Sequence, residues 1–550
     1  MEAYRQRRLT ESYWHADESV ELFQGTLGDA LRDAAARAPS RIALVEGRAD
    51  GGRRWTFREL LDQAEAVASA LLTRFRPGER VAFCADNVPE WVPMLYGCAF
   101  AGLVLVTVNP ALRARELKHV LEQSAAVGLF IMDSYRGYDW LEAVESIRGD
   151  LPTLREVHRV AEFWDFVGKR DGARNFPTVG PRDACIIMFT SGTTGMQKGV
   201  TFHHQGVANM AHLTQARGGL DETGVFISPM PLFYIGGLGH VGVGAVMHRA
   251  THVVVSHWDP ELFMALVQRE GGTYSLLVPT MIEAILSHPR RGEFDISSLR
   301  NLVAGASVVE GQLIKRIQSE LNASICNIYG QTEMQGVVTA THRDDLPEDA
   351  TETIGQPIPH VEAKVCDPET GAVRPLGVEG ELWVRGYQLM LGYFGMSEET
   401  EKTITPDGWL RSGDIVTMDS RGFVRIAGRL KEMIIRGGQN IYPREVENLL
   451  LEHPKIQNVA IVGVPDAYWG ERVGAVIIPQ SPDDLPDVNE LHAFARENLA
   501  AFKTPSLWYF TDVFPFTETG KLQKFKLVDA IKHARLEPVS RAVETKQRRA

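Results

Sequence analysis

The chain has 550 residues, 44% of them hydrophobic and 23% charged, a composition that suits a globular protein of two or three domains with sizeable cores. Its net charge of -12 argues against a nucleic-acid partner, which would bring a basic face, and against attraction to an anionic membrane surface. Five scattered cysteines with no CxxC pair exclude a zinc pattern and a disulfide framework, and point to a reducing cytoplasm. The N-terminal stretch has no apolar core of signal-peptide length, and no segment approaches the ~20 apolar residues of a transmembrane helix, so stable membrane insertion is not expected.

In chain order, TLGDALRDAAARAP and WTFRELLDQAEAVASALL carry apolar residues at helical spacing. RVAFCA reads as a short buried strand, PEWVPMLYGCAFAG as a helix ending at Gly102, and LVLVTVNP as a strand stopped by Pro110. ARELKHVLEQSA is helical and VGLFIMD extended. A second alternating run extends from GVFISPMPL through SLLVPTMIEAIL to NLVAGAS. Helices alternating with β-branched runs predict an α/β fold with mostly parallel sheets.

After residue 355 the pattern becomes strands separated by Gly and Pro turns, suited to a small barrel-like sheet. Beyond RIAGRLKEM comes a compact α+β pattern. The expected organisation is an N-terminal domain over 1–428, formed by two α/β subdomains and the small sheet, a hinge at 429–431, and a mobile C-terminal domain over 432–550. No internal repeat is visible, and the basic tail KQRRA reads as a solvated end.

The run MFTSGTTGMQKGV, residues 188–200, follows a predicted strand. Gly192, Gly195 and Gly199 let the backbone approach a polyanion closely, Thr190, Ser191, Thr193 and Thr194 add hydroxyls, and Lys198 adds a positive charge. Gln197 stands where a Walker A loop would have its second glycine, and GVTFHH continues as strand before any helix. A phosphate held here would therefore not be capped by a helix N-terminus. Taken alone, the loop could also be a flexible Gly/Thr turn.

Further along stand NIYGQTEM, GWLRSGDI, GRLKEMIIRGGQNIYPREVE and PFTETGKLQKFKL. In order and spacing, these motifs together with FTSGTTGMQKG resemble the core motifs of the adenylate-forming superfamily, over nearly the whole chain. The resemblance implies activation of a carboxylic acid with ATP and Mg²⁺, release of pyrophosphate, and transfer of the acyl group to a thiol, here coenzyme A. It implies that the first loop, Thr190 to Lys198, clamps pyrophosphate, and that Glu333 with Thr190 contacts magnesium. Tyr329, Gly330 and Gln331 would line the nucleotide beside Gly305, Ala306 and Ser307, with Thr332 on the α-phosphate. Asp414 would take the ribose hydroxyls, Arg429 would make a second contact to ribose and phosphate, Ile426 would be a further nucleotide-binding residue, and Lys431 would be the pivot. Gly437 and Gly438 would line the tunnel for the thiol arm, and Lys521 would bridge carboxylate and phosphate during adenylation. Lys524 and Lys526 read as solvated.

The chain departs from the family at Gln197, usually Pro, and at Tyr234, where many relatives carry a His that gates the acyl pocket. No Asp lies between Pro229 and His257 to hold an α-ammonium, so an amino-acid substrate is not expected. Glycines crowd IGGLGHVGVGAVM, either for close packing or to keep an acyl channel open at Gly237. With Val278, Met281 and Val337 as further liners, an apolar acid such as a medium- or long-chain fatty acid is expected, and a bulky alicyclic or aryl acid stays open. The 353–386 segment shows strand-turn-strand spacing without an added block, which favours CoA over a carrier protein. A non-catalytic adenylate binder is the remaining alternative, and a homodimer is left open.

Overall fold

Two capping boxes begin the fold. Thr26 and Thr56 accept from the backbone of Asp29 and Glu59, whose carboxylates bond back to the cap backbone, starting the helices Leu27–Arg37 and Phe57–Leu71. The computed structural model describes residues 7–541 except 169–174, 191–196, 306–308, 310, 344, 437–438, 467, 500 and 517–521. The first α/β run builds a seven-stranded sheet in the order Gly392–Tyr393, Lys198–His203, Ala184–Thr190, Val104–Val108, Arg80–Cys84, Gly128–Ile131 and Glu156–Arg159. Ala184–Thr190 runs parallel to Val104–Val108, and Lys198–His203 returns antiparallel to it.

The second run builds a nine-stranded sheet whose middle, from Ser324–Gln331 through Asn301–Ala304, Tyr274–Leu277, Val225–Ser228 and Thr251–Val255 to Ile42–Gly47, is parallel. Phe226, Leu276 and Val303 face one core, while Ile227, Leu277 and Leu302 face another, so both sides of this sheet are covered. The helix Trp91–Ala101 is buried at every residue and ends at Gly102, whose φ of 63° is left-handed. Its apolar surface all round follows from its place inside the core shared by both sheets.

A third, antiparallel sheet orders Tyr13–Trp14, Val361–Cys366, Gly380–Gly386, Leu410–Met418 and Val424–Arg429. The chain leaves it at Arg429, makes the 3-10 turn Leu430–Glu432, and enters a six-stranded sheet at Ile434. That last sheet has its own core, including Ile434, Val446, Ile461, Ile477 and Trp508. Among the described residues, no helix is long and apolar enough to cross a membrane.

Candidate active site

In open α/β sheets ligands sit beyond the carboxyl ends of the strands. Here the strand Ser324–Gln331 carries Tyr329, Gly330 and Gln331 at that end. Gly330 has to be glycine: a Cβ there would lie 1.7 Å from the Gly336 carbonyl oxygen of the returning strand. Tyr329 donates its hydroxyl to Asp414 Oδ2 at 2.6 Å, and Gln331 Nε2 donates to the same oxygen at 2.7 Å. Arg429 Nε lies 2.9 Å from Asp414 Oδ1, set opposite it by the antiparallel register of the third sheet. Burial, then the Asp414 charge, pushes the Tyr329 phenol well above its usual range, so it stays a donor. Removing Arg429 would take the charged partner from the buried Asp414 and leave it the hydrogen bonds from Tyr329 and Gln331. Ile426 lies half-buried three residues before Arg429, in the same strand. Gly305 follows the adjacent strand Asn301–Ala304, and a Cβ there would strike Ile328 Cγ1 at 2.7 Å, so strand packing by itself requires a residue this small.

Thr332 and Glu333 occupy the single 3-10 turn Thr332–Met334 that follows. Left-handed backbone at Gln335 (φ 52°) and a positive φ at Gly336 (123°) then reverse the chain. Met390 N donates to the Glu333 carbonyl at 3.0 Å, and Gln335 Nε2 donates to the Leu389 carbonyl at 2.8 Å. The segment from Leu389 continues into Gly392–Tyr393, which pairs with the strand Lys198–His203. One strap thus ties the Glu333 turn to the glycine-rich loop. The strands that flank that loop pair antiparallel, with Thr190 opposite Lys198. His119 Nε2 bonds the Gln197 carbonyl at 2.8 Å, anchoring the loop's exit.

Tyr393 stands between the two charged side chains of this site. Its hydroxyl donates to Glu333 Oε1 at 2.9 Å, and Lys198 Nζ lies 4.9 Å from its ring centroid. Glu333 Oε2 accepts no bond among the described residues. No group of three or more His, Cys, Asp or Glu among them could hold a metal. One carboxylate oxygen on Glu333, free among the described residues, is what a hard cation with phosphate oxygens as its other ligands would require.

The expected acid-binding residues are only partly brought together. Tyr234 is half-buried, and its hydroxyl accepts from Asn109 Nδ2 at 3.2 Å. The glycine-rich run after it forms the π-helix Gly236–Val243, a rare geometry that recurs at functional sites. Gly237 does not keep a channel open: a Cβ there would lie 2.2 Å from the Pro231 carbonyl oxygen and 2.9 Å from that of Met230. Its neighbour Gly236 would meet only side-chain ends, Leu276 Cδ2 at 3.7 Å and Met230 Cε at 3.8 Å. Val337 packs in the same core as Tyr234, near Gly336, which Met210 and Ile235 approach. Val278 caps the start of the helix Pro279–Leu286, and Met281 on that helix packs against the opposite core, away from Tyr234. Sequence reading missed Asn87. Its buried amide donates to the carbonyls of Pro229, Met230 and Val255 and accepts from Leu232 N, holding the segment that crowds Gly237.

Two family models match this chain, one described as AMP-binding enzyme over residues 31–394 and one as AMP-binding enzyme C-terminal domain over 445–521. The chain belongs to the AMP-binding enzymes. It stands in the acyl-CoA synthetase branch of the adenylate-forming superfamily, an acid-thiol ligase by family. It is 35% identical over 543 residues to YngI of Bacillus subtilis (strain 168), covering 92% of this chain and 97% of that protein. It is 33% identical over 552 residues to the mitochondrial medium-chain acyl-CoA ligase ACSF2 of Bos taurus, covering 94% of this chain and 89% of that one. Among solved structures, ATP-bound MatB from Rhodopseudomonas palustris matches with a TM-score of 0.84 at 25% identity, covering 92% of this chain and 99% of MatB. The anthranilate CoA ligase AuaEII in complex with anthranoyl-AMP matches with a TM-score of 0.82 at 27% identity, covering 94% of this chain and 99% of AuaEII.

In this AMP-binding enzyme, Ser191, Gly192, Thr193, Thr194, Gly195, Ala306, Ser307, Gly437, Gly438 and Lys521 lie outside the described residues. Lys431 is described in its backbone only, within the turn between the third and last sheets. Lys524, expected to be solvated, is not. Its Nζ lies 2.6 Å from Glu447 Oε1 and 3.4 Å from Glu432 Oε2, at a side-chain exposure of 16%. Glu447 is itself buried, and burial of a carboxylate demands a partner. Lys526 is exposed as expected.

Proposed function

We propose that this protein joins a carboxylic acid to ATP as an acyl-adenylate and then transfers the acyl group to coenzyme A. The supporting observation is the cluster at the strand ends, where Tyr329, Gln331 and Arg429 converge on Asp414 while Glu333 and Lys198 face the same strap. In the first step an acid oxygen bonds to the α-phosphorus as its bond to the pyrophosphate oxygen breaks. In the second the CoA sulfur bonds to the acyl carbon, and AMP leaves. Asp414 and Arg429 would hold the ribose, Tyr329 and Ile426 the adenine, and Thr332 the α-phosphate. Thr190 to Lys198 would hold pyrophosphate. Mg²⁺ at Glu333 would neutralise phosphate charge. Lys431 would be the pivot and Gly437–Gly438 the wall of the thiol tunnel.

Tyr234 packs against a core that includes Met210 and Val337, and this apolar setting supports an apolar acid of medium or greater chain length. All five cysteines are buried and free, which supports a reducing compartment. The test is pyrophosphate release over a panel of acids, with and without CoA. Apolar acids are expected to release pyrophosphate, and acyl-CoA should form when CoA is present. Pyrophosphate and AMP with no acyl-CoA would favour a carrier protein as acceptor, and no turnover with any acid would overturn the reading.

The two glycines give a sharper check on the pocket. Gly237→Leu is expected to lower thermal stability markedly, because its side chain would enter backbone rather than space; overpacking of this kind costs about 1–3 kcal/mol or more. Gly236→Leu is expected to fold and to shift preference toward shorter acids. An unmoved chain-length profile in a folded Gly236→Leu variant would place the acyl channel elsewhere.

A further inference from the structure

The described structure gives Lys198 a partner inside the protein. Its ammonium is ion-paired with Glu399, although the two are 201 positions apart in the chain. Glu399 lies on the helix Ser397–Thr403, directly after the strap that carries Tyr393. The helix is fixed in place: Thr400 Oγ1 accepts from Tyr393 N at 2.9 Å and donates to the Met396 carbonyl at 2.9 Å. Lys402, one turn on, lies 2.7 Å from Glu399 Oε1 and is 68% exposed. Lys198 and Glu399 are better shielded, at 18% and 31%. The bonds from Lys198 and Lys402 hold the Glu399 carboxyl down at about 2, so it is charged throughout the working range of pH.

Lys198 and Glu333 carry opposite charges within one small site. If they paired with each other, neither would be available to phosphate or metal. Tyr393 separates them, binding Glu333 through its hydroxyl and lying under Lys198 with its ring. That arrangement leaves the Lys198 charge to Glu399. We propose that Glu399 is an intramolecular counter-ion that holds Lys198 in the nucleotide-free enzyme, yields it to the incoming triphosphate, and reclaims it as pyrophosphate departs. A polyphosphate carries several negative charges against one on Glu399, so it wins the lysine when bound. The exchange still weakens net binding by the strength of the pair it breaks. Glu399 therefore lowers the affinity for both ATP and pyrophosphate, and speeds product release.

This inference rests on the ATP-dependent activity proposed above, so binding of Mg-ATP to the wild-type full chain is measured first, by calorimetry. Glu399→Gln is then expected to tighten Mg-ATP binding, lower the KM for ATP and strengthen inhibition by pyrophosphate, each by about two- to five-fold, the size of a partly exposed ion pair. The gain should shrink as KCl is raised, because salt screens the competing charge. Lys402→Gln should act in the opposite direction, because Glu399 then has only Lys198 to hold. A wild-type chain that does not bind Mg-ATP overturns both the activity and the counter-ion role. A wild-type chain that binds it, beside a folded Glu399→Gln variant with equal or weaker affinity, overturns the counter-ion role alone.

Discussion

Lys521→Ala is expected to lose adenylation by about 10²–10³ in rate, the usual cost of removing one donor from a developing transition-state charge. The same variant, supplied with ready-made acyl-adenylate, should still transfer the acyl group to CoA at a near wild-type rate. Lys521 lies outside the described residues, but the neck of its turn is described. Phe516 bridges Leu522, and Gln523 N donates to the Pro515 carbonyl at 2.8 Å. Lys524 then ties the base of the turn to Glu447 and to Glu432, beside the hinge turn. The described residues on either side of Lys521 are thus anchored in the last sheet's domain, and the substitution is expected to remove a charge without unfolding it. The chain passes between the last two sheets through one short turn at Leu430–Glu432, and on the proposed reading a pivot there would present different faces of this domain to the site in the two half-reactions. Single-turnover assays of each half-reaction decide the matter: equal loss in both, or loss in neither, would refute two poses.

Glu333→Gln is expected to reduce adenylation steeply and to raise the Mg²⁺ concentration needed for half-maximal rate. Glutamine keeps the shape, and its amide oxygen can still accept from Tyr393, so the turn Thr332–Met334 should stand. What is lost is the negative charge that a hard cation requires. The loss in metal affinity should reach at least the roughly 10–100-fold that removal of an outer partner costs a metal site. A Mg²⁺ titration of pyrophosphate release measures it. A variant with unchanged rate and unchanged magnesium requirement would remove Glu333 from the metal site.

Much of the site was legible because its residues are close together in the chain. Tyr329 to Glu333 form one strand end and one turn, and Thr190 to Lys198 is one short run, so local pattern and resemblance singled out both as candidates. Asp414 and Arg429 were singled out by the resemblance alone, and only the strand register shows that they stand opposite each other. Tyr393 was not. Its sequence context, a Gly-Tyr before a short polar helix, says nothing of chemistry until strand pairing brings it beside Lys198.

The sequence by itself determined the element types, the change from mixed α/β to antiparallel sheet, and the family. These depend on hydrophobic periodicity, turn residues and short motifs, all of which act within a few residues. Only the tertiary structure decided which small or charged residues serve packing and which serve chemistry. Gly237 could have bordered a channel, but its missing Cβ is the space taken by the Pro231 carbonyl, held there by Asn87 from a distant loop. Lys524 could have been solvated, but a buried Glu447 claims it. Lys198 could have waited free for phosphate, but Glu399 reaches it. Asn87, Glu447 and Glu399 each lie far along the chain from the residue whose role they decide. A side chain's role there depends on which partner the fold places within bonding distance, and local pattern holds no record of that.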